Sequence, residues 1–587
     1  MGNWFWFPLD RRELRHILDL GKNSSENIPF RQRTLKLKNG RIYNIYPQKW
    51  VQVFVLLGFC FFLYFLNLGQ WDLWNPDEPR YAQVTREMVN GGDWILMHFN
   101  GRVYEDKPPL FFWLIALSSY LWQGLGSFSV RFPAALFGTF TVLLTFLLGK
   151  SLYSTRVGFI SGLILATTVE FAYVATRANL DTTLTFFTTA SLFCFFEWCS
   201  YQKKEGSGQR DKKNLLIYGF YFGMGLGTLT KGPVGFILPL LVSLIYLSTQ
   251  KDWKGMKEMK LLPGMVLFLV IVLSWYLPAL SRGGEDYFNA TLMKHSIARF
   301  AIGSSHVRPI YYYLYNFPAE FLPWIFFLPA AVIYGYSRET LGKRKEFLLL
   351  LTWFLVIFLF FSISKGKRGL YLLPLYPAVS IMIGKLWNDL ISTAMDHFRS
   401  GWISIPLYGF MGLALIAGAA IPWVISMKFP TYLAYSIPIA FLMVGCSLAI
   451  FVCNRFRMEG AIFFLVVGMM AGGFFYTLRV VFPLVNPYKS ARFICQEVTS
   501  RIQPAEKLVL YGGIGVGPYN YYTKIVPILE LEGEENLSHY LRSSERVFCL
   551  LRFADFSKLQ TRAGNPEIRL ITRRKVGGDD IALISNR

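Results

Sequence analysis

The chain has 587 residues, 53% hydrophobic and 17% charged, with 60 Lys and Arg against 37 Asp and Glu for a formal charge of +23. Such a composition excludes a disordered or fibrous chain. The cationic excess reads first as membrane topology, because Lys and Arg collect in cytoplasmic loops, and no nucleic-acid partner is implied.

In chain order, a basic N-terminal extension, residues 1–49, precedes the first long apolar run at 51–69 and is expected in the cytoplasm. Its Trp4-Phe5-Trp6-Phe7 stretch is too short for a signal-peptide core and reads as an interfacial anchor, so no cleaved signal is expected. Further apolar runs lie at 110–125, 128–149, 157–176, 182–200, 215–230, 232–249, 261–281, 319–337, 346–364, 369–388, 403–427, 433–453 and 460–483. If all fourteen crossed, the basic clusters around Lys203–Lys213, Lys251–Lys260 and Lys343–Lys345 would fall outside. The weakest run is 110–125, which follows Pro108-Pro109 and ends in Gln123-Gly124-Leu125-Gly126. Assigning it to the membrane interface leaves thirteen spans and puts every one of those clusters inside.

The predicted organisation is therefore a basic extension 1–49, an all-α polytopic membrane domain over 50–483 with external loops 70–127 and 282–318, and an external α/β domain over 484–587. In the last, β-rich stretches at Lys507–Tyr511, Ile525–Leu531, Arg546–Arg552, Ile568–Arg574 and Ile581–Ser585 alternate with helix-compatible segments. Gly512-Gly513-Ile514-Gly515-Val516-Gly517 superficially resembles a dinucleotide loop, but it runs straight into Pro518 on a side with no nucleotide pool, so a glycine-rich turn is expected. Five of the seven cysteines lie in apolar segments and read as packing residues.

Cations on the outer face break the topological rule and are therefore informative. Arg80, Lys107, Lys231, Arg299, Lys365, Lys367 and Arg368 are among them. Each alone is compatible with a headgroup anchor, but Lys365-Gly366-Lys367-Arg368 and Lys231-Gly232-Pro233 combine cations with glycine-permitted backbone approach, which suits a phosphate at the bilayer boundary. Carboxylates gather on the same side: Asp77 and Glu78, Glu105 and Asp106, and Asp181 at the lip of a span. A carboxylate beside apolar helices is costly unless paired or working, and Arg177 at i−4 is the obvious structural partner for Asp181. His295 of the second loop, with Glu105 or Asp106 of the first, is a weak candidate for an O/N metal site.

Four groups of residues are familiar: Asp77-Glu78-Pro79-Arg80-Tyr81, Tyr104-Glu105-Asp106-Lys107-Pro108-Pro109, Arg131-Phe132-Pro133-Ala134 and Ala178-Asn179-Leu180-Asp181. Three more follow in Leu229-Thr230-Lys231-Gly232-Pro233, His295-Ser296-Ile297-Ala298-Arg299-Phe300 and Lys367-Arg368-Gly369-Leu370-Tyr371. Together they resemble the GT-C-type, polyprenyl-phosphate-sugar-dependent glycosyltransferases, the superfamily of the protein O-mannosyltransferases and the lipid A aminoarabinose transferases. The thirteen spans and terminal α/β domain are more similar to the latter.

The resemblance implies a multi-pass enzyme of the bacterial inner membrane that takes a sugar from a polyprenyl-phosphate donor to lipid A or another periplasmic acceptor. It implies Asp77 and Asp181 as the working carboxylates. Arg80, Tyr81, Tyr104, Lys107, Lys231, Arg299, Lys365, Lys367, Arg368 and Tyr371 would surround the donor phosphate. A divalent metal (Zn, Mg or Mn) would sit on Asp106 and His295, with Glu105 and Glu78 as alternative ligands. A protein O-mannosyltransferase-like activity is the alternative within the class. A transporter or flippase of anionic polyprenyl lipids is the alternative outside it, although no internal repeat is visible.

Overall fold

The computed structural model of the protein describes residues 35–36, 42–43, 49–202, 210–291, 306–337, 342–392, 402–561 and 568–587. His295, Arg299, the Trp4–Phe7 stretch and the basic segment 203–209 lie outside the described residues. Residues 1–52 form one unit, in which β1 (Leu35–Lys36) and β2 (Ile42–Tyr43) pair antiparallel. Residues 53–587 form the other.

Seven helices among the described residues are long and apolar enough to cross a membrane, or up to nine if each of two bent helix pairs is one span. Helix 155–166 turns 72° into 169–175, and 312–320 turns 113° into 324–335. The long apolar run at 215–249 is divided at Gly232, whose φ of +82° is open to glycine at little cost. The two arms then pack backbone to backbone, since a Cβ on Gly235 would come within 2.1 Å of the Gly227 carbonyl carbon.

Between the helix Lys49–Cys60 and the long helix Ser127–Leu152 the chain builds a platform of short elements. Helix α1 (Asp77–Gly91) starts with two acids in its first turn, which favour the positive end of the helix dipole, and stops at left-handed Gly92, whose N–H donates to Met88 O. A hairpin of β3 (His98–Phe99) and β4 (Arg102–Val103) turns on Asn100-Gly101, both with positive φ as a tight hairpin requires. Helix α2 (Leu110–Leu121) covers only about 18 Å at 1.5 Å per residue, against a hydrocarbon core of about 30 Å. Its Phe111 and Phe112 pack edge-on against Tyr81 of α1.

Helices α3 (Leu180–Gln202) and α4 (Arg210–Lys231) run side by side from this platform and back. After the last long apolar helix, α5 (Phe482–Lys489) leads into a five-stranded sheet. Its strands are β5 (Lys507–Tyr511), β6 (Leu529–Leu531), β7 (Val547–Arg552), β8 (Arg569–Val576) and β9 (Asp579–Ser585), in the order β6-β5-β7-β9-β8. Strand β5 is parallel to β6 and β7, whereas β9 is antiparallel to both neighbours.

The sheet is seated on the platform through helix α6 (Gly517–Thr523). Asn100 Oδ1 accepts from Asn520 Nδ2 at 3.0 Å and from Ile528 N at 2.7 Å. Tyr521 OH donates to Leu125 O at 2.8 Å and Tyr522 OH to Leu73 O at 3.0 Å, while the Arg86 guanidinium lies 4.5 Å from the Tyr521 ring centre. Gly517 is small for a reason here, because a Cβ at that position would meet Arg80 Cβ at 3.1 Å.

Candidate functional site

A cavity of about 810 Å³ opens where the platform meets the ends of α3 and α4. Its polar wall is made by Asp77, Arg80, Glu105, Asp106, Lys107, Asp181, Lys231 and Arg368, and its apolar wall includes Val272, Trp275, Phe360, Phe361 and Leu370. A cavity with an apolar wall and a wall of cations has the character of a site for an amphiphile with an anionic head.

Asp77 lies at the centre of the polar wall, at the first turn of α1. Arg80 Nη2 donates to Asp77 Oδ1 at 2.5 Å, one helical turn on, and Arg368 Nη2 donates to Asp77 Oδ2 at 3.0 Å from 291 residues away. Burial alone would raise the Asp77 carboxyl, but the Arg368 and Arg80 guanidinium groups outweigh it and hold the group below its ordinary value. Asp77 is therefore ionised at neutral pH and is a weak base. Arg80 also lies 3.9 Å from Asp106 Oδ2, and Lys107 Nζ donates to Asp106 Oδ1 at 3.0 Å. Across the cavity Lys231, at the C-terminal end of α4, pairs with Asp181 and stands 4.3 Å from the Tyr371 ring centre.

The cations of 365–368 divide by strand alternation. Residues 306–308 and 365–367 cross as a short antiparallel bridge, Val307 opposite Gly366, with Lys367 N donating to His306 O at 3.0 Å. Ser364, Gly366 and Arg368 face the cavity, whereas Lys365 and Lys367 are absent from its wall. Lys367 is buried and its Nζ donates to the carbonyl oxygens of Ser364 and Arg308. Tyr81 lines the cavity, but Tyr104 lies behind it, its ring edge-on to Phe99 and Phe112.

Glu78, an alternative metal ligand by sequence, has a different occupation. Its Oε1 accepts from Arg131 Nε at 2.7 Å and from Ala178 N at 2.9 Å, and its Oε2 accepts from Arg131 Nη2 and Trp74 N, each at 2.9 Å. Arg177 Nη2 stands 3.0 Å from Glu78 Oε2. No lone pair is left for a metal. The alternative Arg177–Asp181 pair is likewise not the one formed: Arg177 serves Glu78 and Asp181 serves Lys231. Residues 177–179 lie between two helices rather than on one, so the i, i−4 spacing does not bring them together.

Among the described residues no three His, Cys, Asp or Glu side chains come together to hold a metal ion. Asp106 faces Lys107 and Arg80, and His295 lies outside the described residues. The sequence did not point to Trp275, Tyr276 and Tyr287 as cavity residues. They come from the helix 261–288 and carry no signal that separates them from ordinary interfacial aromatics.

Comparison with known proteins gives the arrangement a context. Residues 49–283 match the family described as dolichyl-phosphate-mannose-protein mannosyltransferase. The undecaprenyl phosphate-alpha-4-amino-4-deoxy-L-arabinose arabinosyl transferase of Enterobacter sp. (strain 638) is 31% identical over 388 residues, 65% of this chain and 67% of the relative. The enzyme of the same name from Pseudomonas aeruginosa (strain UCBPP-PA14) is 31% identical over 393 residues, 66% of this chain and 67% of its own. The alignments thus span about two thirds of these relatives. Among solved structures, ArnT from Cupriavidus metallidurans bound to undecaprenyl phosphate superposes with a TM-score of 0.75 at 20% identity, covering 92% of this chain and 98% of that one. Its apo form gives 0.76 at 21% identity. At that identity the likeness is one of fold.

Proposed function

Because the chain belongs to the family of undecaprenyl phosphate-aminoarabinose arabinosyl transferases, a group of GT-C glycosyltransferases, we propose that it moves 4-amino-4-deoxy-L-arabinose from undecaprenyl phosphate to a phosphate of lipid A. The carrying observation is Asp77 held between Arg80 and Arg368 in the wall of a cavity that also has a broad apolar lining. The polyprenyl chain would lie along the apolar wall, with its phosphate against Arg368, Lys107 and Lys231.

Reaction breaks the bond from the anomeric carbon to the donor phosphate oxygen, and negative charge grows on that oxygen as it leaves. Cations fixed before reaction stabilise this charge without reorganisation. Lys107 and Arg80 are tied to Asp106, Lys231 to Asp181, and Arg368 to Asp77, so each is held in place by a carboxylate. The nucleophile distinguishes the acceptors. A protein hydroxyl must lose a proton and needs a competent base, whereas a phosphate oxygen is already anionic. Asp77, ionised and engaged by two guanidinium groups, suits the second task, orienting the cations around an anionic acceptor. This favours lipid A over the mannosyltransferase-like reading.

The topology proposed with this function has thirteen spans. The seven long helices and two bent pairs are joined by 50–65, 180–202, 210–231 and 234–249, while 110–121 rests at the interface. The platform and sheet then face the periplasm and residues 1–49 the cytoplasm. A flippase would need access from both faces, whereas the polar wall here gathers at one end of the helices.

The test is transfer by the purified protein in nanodiscs, with synthetic undecaprenyl phosphate-aminoarabinose and bisphosphorylated lipid A, read by mass spectrometry of the lipid A. A mass increment of one aminoarabinose per phosphate is expected. No increment with lipid A, together with glycosylation of a hydroxyl-bearing peptide, would move the protein to the alternative acceptor class.

A further inference from the structure

A second cavity, of about 710 Å³, lies between the platform and the C-terminal sheet. Its walls carry Arg80, Arg177, Lys489 and Arg552 against only two carboxylates, Glu530 and Asp579. The glycine-rich turn after β5 forms one side, through Gly513, Ile514, Gly515, Val516 and Gly517. The β8–β9 turn, Gly577-Gly578, forms another. At Gly513, Gly515, Gly577 and Gly578 an added Cβ would meet nothing within 4 Å, so the backbone there is bare towards open space. Arg552 Nη1 donates to Gly512 O at 2.7 Å and holds the loop in place. Lys489, the last residue of α5, is exposed and has no ion-pair partner among the described residues.

We propose that this cavity is the acceptor site and that it binds a phosphorylated saccharide headgroup, with Lys489 and the loop 513–517 as its floor. The inference rests on the transferase reading above and assigns the second substrate to it. Three observations converge. Lys489 brings a positive charge that no ion pair among the described residues answers, beside the guanidinium groups of Arg80, Arg177 and Arg552, which are paired with Asp77, Glu78 and Asp579. The bare glycine backbone at Gly513, Gly515 and Gly578 lets N–H groups and cations approach a phosphate closely, as a side chain would not, whereas Gly577 N donates to Tyr488 O. Finally, Pro76 and Arg80 line both cavities, with Asp77 between them in sequence and in the wall of the first. The second cavity therefore abuts the first at Pro76 and Arg80, which lie on either side of Asp77 in sequence, and an acceptor phosphate held there is next to the donor site. The acceptor oxygen forms its bond to the anomeric carbon as the bond to the donor phosphate breaks, and the electron pair leaves with polyprenyl phosphate. Glu530 and Asp579 are placed to accept hydrogen bonds from hydroxyl or amino groups of a saccharide.

The experiment measures binding rather than turnover, so that it stands apart from the transfer assay. Fluorescent bisphosphorylated lipid A is titrated into the full-length protein in nanodiscs, with Lys489→Glu and Gly515→Asp as variants, neither of which lies in the first cavity. Each variant is expected to weaken lipid A binding at least about tenfold, the scale of one lost charge contact. Undecaprenyl phosphate binding should stay within about twofold, and Lys489→Arg should restore lipid A. Dephosphorylated lipid A should bind wild type weakly. Inorganic phosphate competing as well as the lipid would assign the site to free phosphate. Unchanged lipid A binding in both charge variants, equal binding of the dephosphorylated lipid, or parallel loss of undecaprenyl phosphate binding would overturn the proposal. Failure of the transfer assay with intact Lys489-dependent binding would instead sink the reaction.

Discussion

Glu78 and Arg131 are 53 residues apart in the chain and 2.7 Å apart in space, both fully buried. The pair, completed by Arg177, fastens α1 to the long helix Ser127–Leu152 and to the start of α3, so Asp77 beside it inherits a fixed position. Glu78→Gln leaves two guanidinium groups without a counter-charge. Removing one partner of a buried pair costs about 3–5 kcal/mol. The expected outcome is a protein that loses thermal stability and donor binding together, read by thermal melts in detergent.

The same pair sets an acid limit. Burial would raise the Glu78 carboxyl, but Arg131 and Arg177 bring it down to about 2 from 4.5. A depressed acid contributes stability that is complete above the unfolded value and is lost as pH falls towards the folded one. About 3 kcal/mol should therefore drain away between roughly pH 4.5 and 2. Melts from pH 7 to pH 3 should show the loss beginning below pH 5 in wild type and largely absent in Glu78→Gln.

Lys367 and Arg368, neighbours in sequence, should behave oppositely. Arg368→Ala removes a guanidinium from the cavity and should weaken undecaprenyl phosphate binding by about 1.5–3 kcal/mol. Lys367→Ala should leave donor affinity intact and lower stability, because its Nζ holds the bridge between 306–308 and 364–367. Equal losses of donor affinity in both variants would restore the undivided cation cluster expected from sequence.

That division was legible in principle. An extended segment alternates sides, so 364, 366 and 368 share one face and 365 and 367 the other. Charge counting without periodicity merged them. Asp77, Arg80, Lys107 and Asp181 could be found because a charge outside the topological rule is costly and therefore informative. Two of their pairings could not. Arg368 reaches Asp77 across 291 residues and Lys231 reaches Asp181 across 50, which is a property of helix packing that local spacing does not encode. Glu78 looked like a ligand for the same reason, its guanidinium partner being out of sequence range.

Orientation follows from charge and can be checked directly. Lys575→Cys on β8 and Lys254→Cys beyond the helix 234–249 both replace exposed residues. A membrane-impermeant maleimide applied from the periplasmic side should label position 575 and miss 254. Labelling of both in sealed spheroplasts, or of 254 alone, would overturn the thirteen-span topology.

Asp77 carries the sharpest expectation. Asp77→Asn preserves volume but removes the charge to which Arg80 and Arg368 both donate. Two guanidinium groups then face each other without a carboxylate between them, and the acceptor loses the group that orders them. Transfer should fall by at least ~10²-fold, the lower end of what a positioned carboxylate contributes. Donor binding should hold or tighten, because Arg368 is released towards the phosphate. Asp77→Glu should recover little, since one methylene displaces a carboxylate that must sit within a fraction of an ångström to about 1 Å of its place. The weak basicity of Asp77 adds a second readout. Held below its ordinary value, Asp77 should put no limb of its own on wild-type turnover as pH falls from 8 to 6, and a limb in that range that Asp77→Asn abolishes would overturn the assignment of Asp77 as a paired, ionised carboxylate. Full turnover in Asp77→Asn would return Asp77 to a purely structural bridge between Arg80 and Arg368.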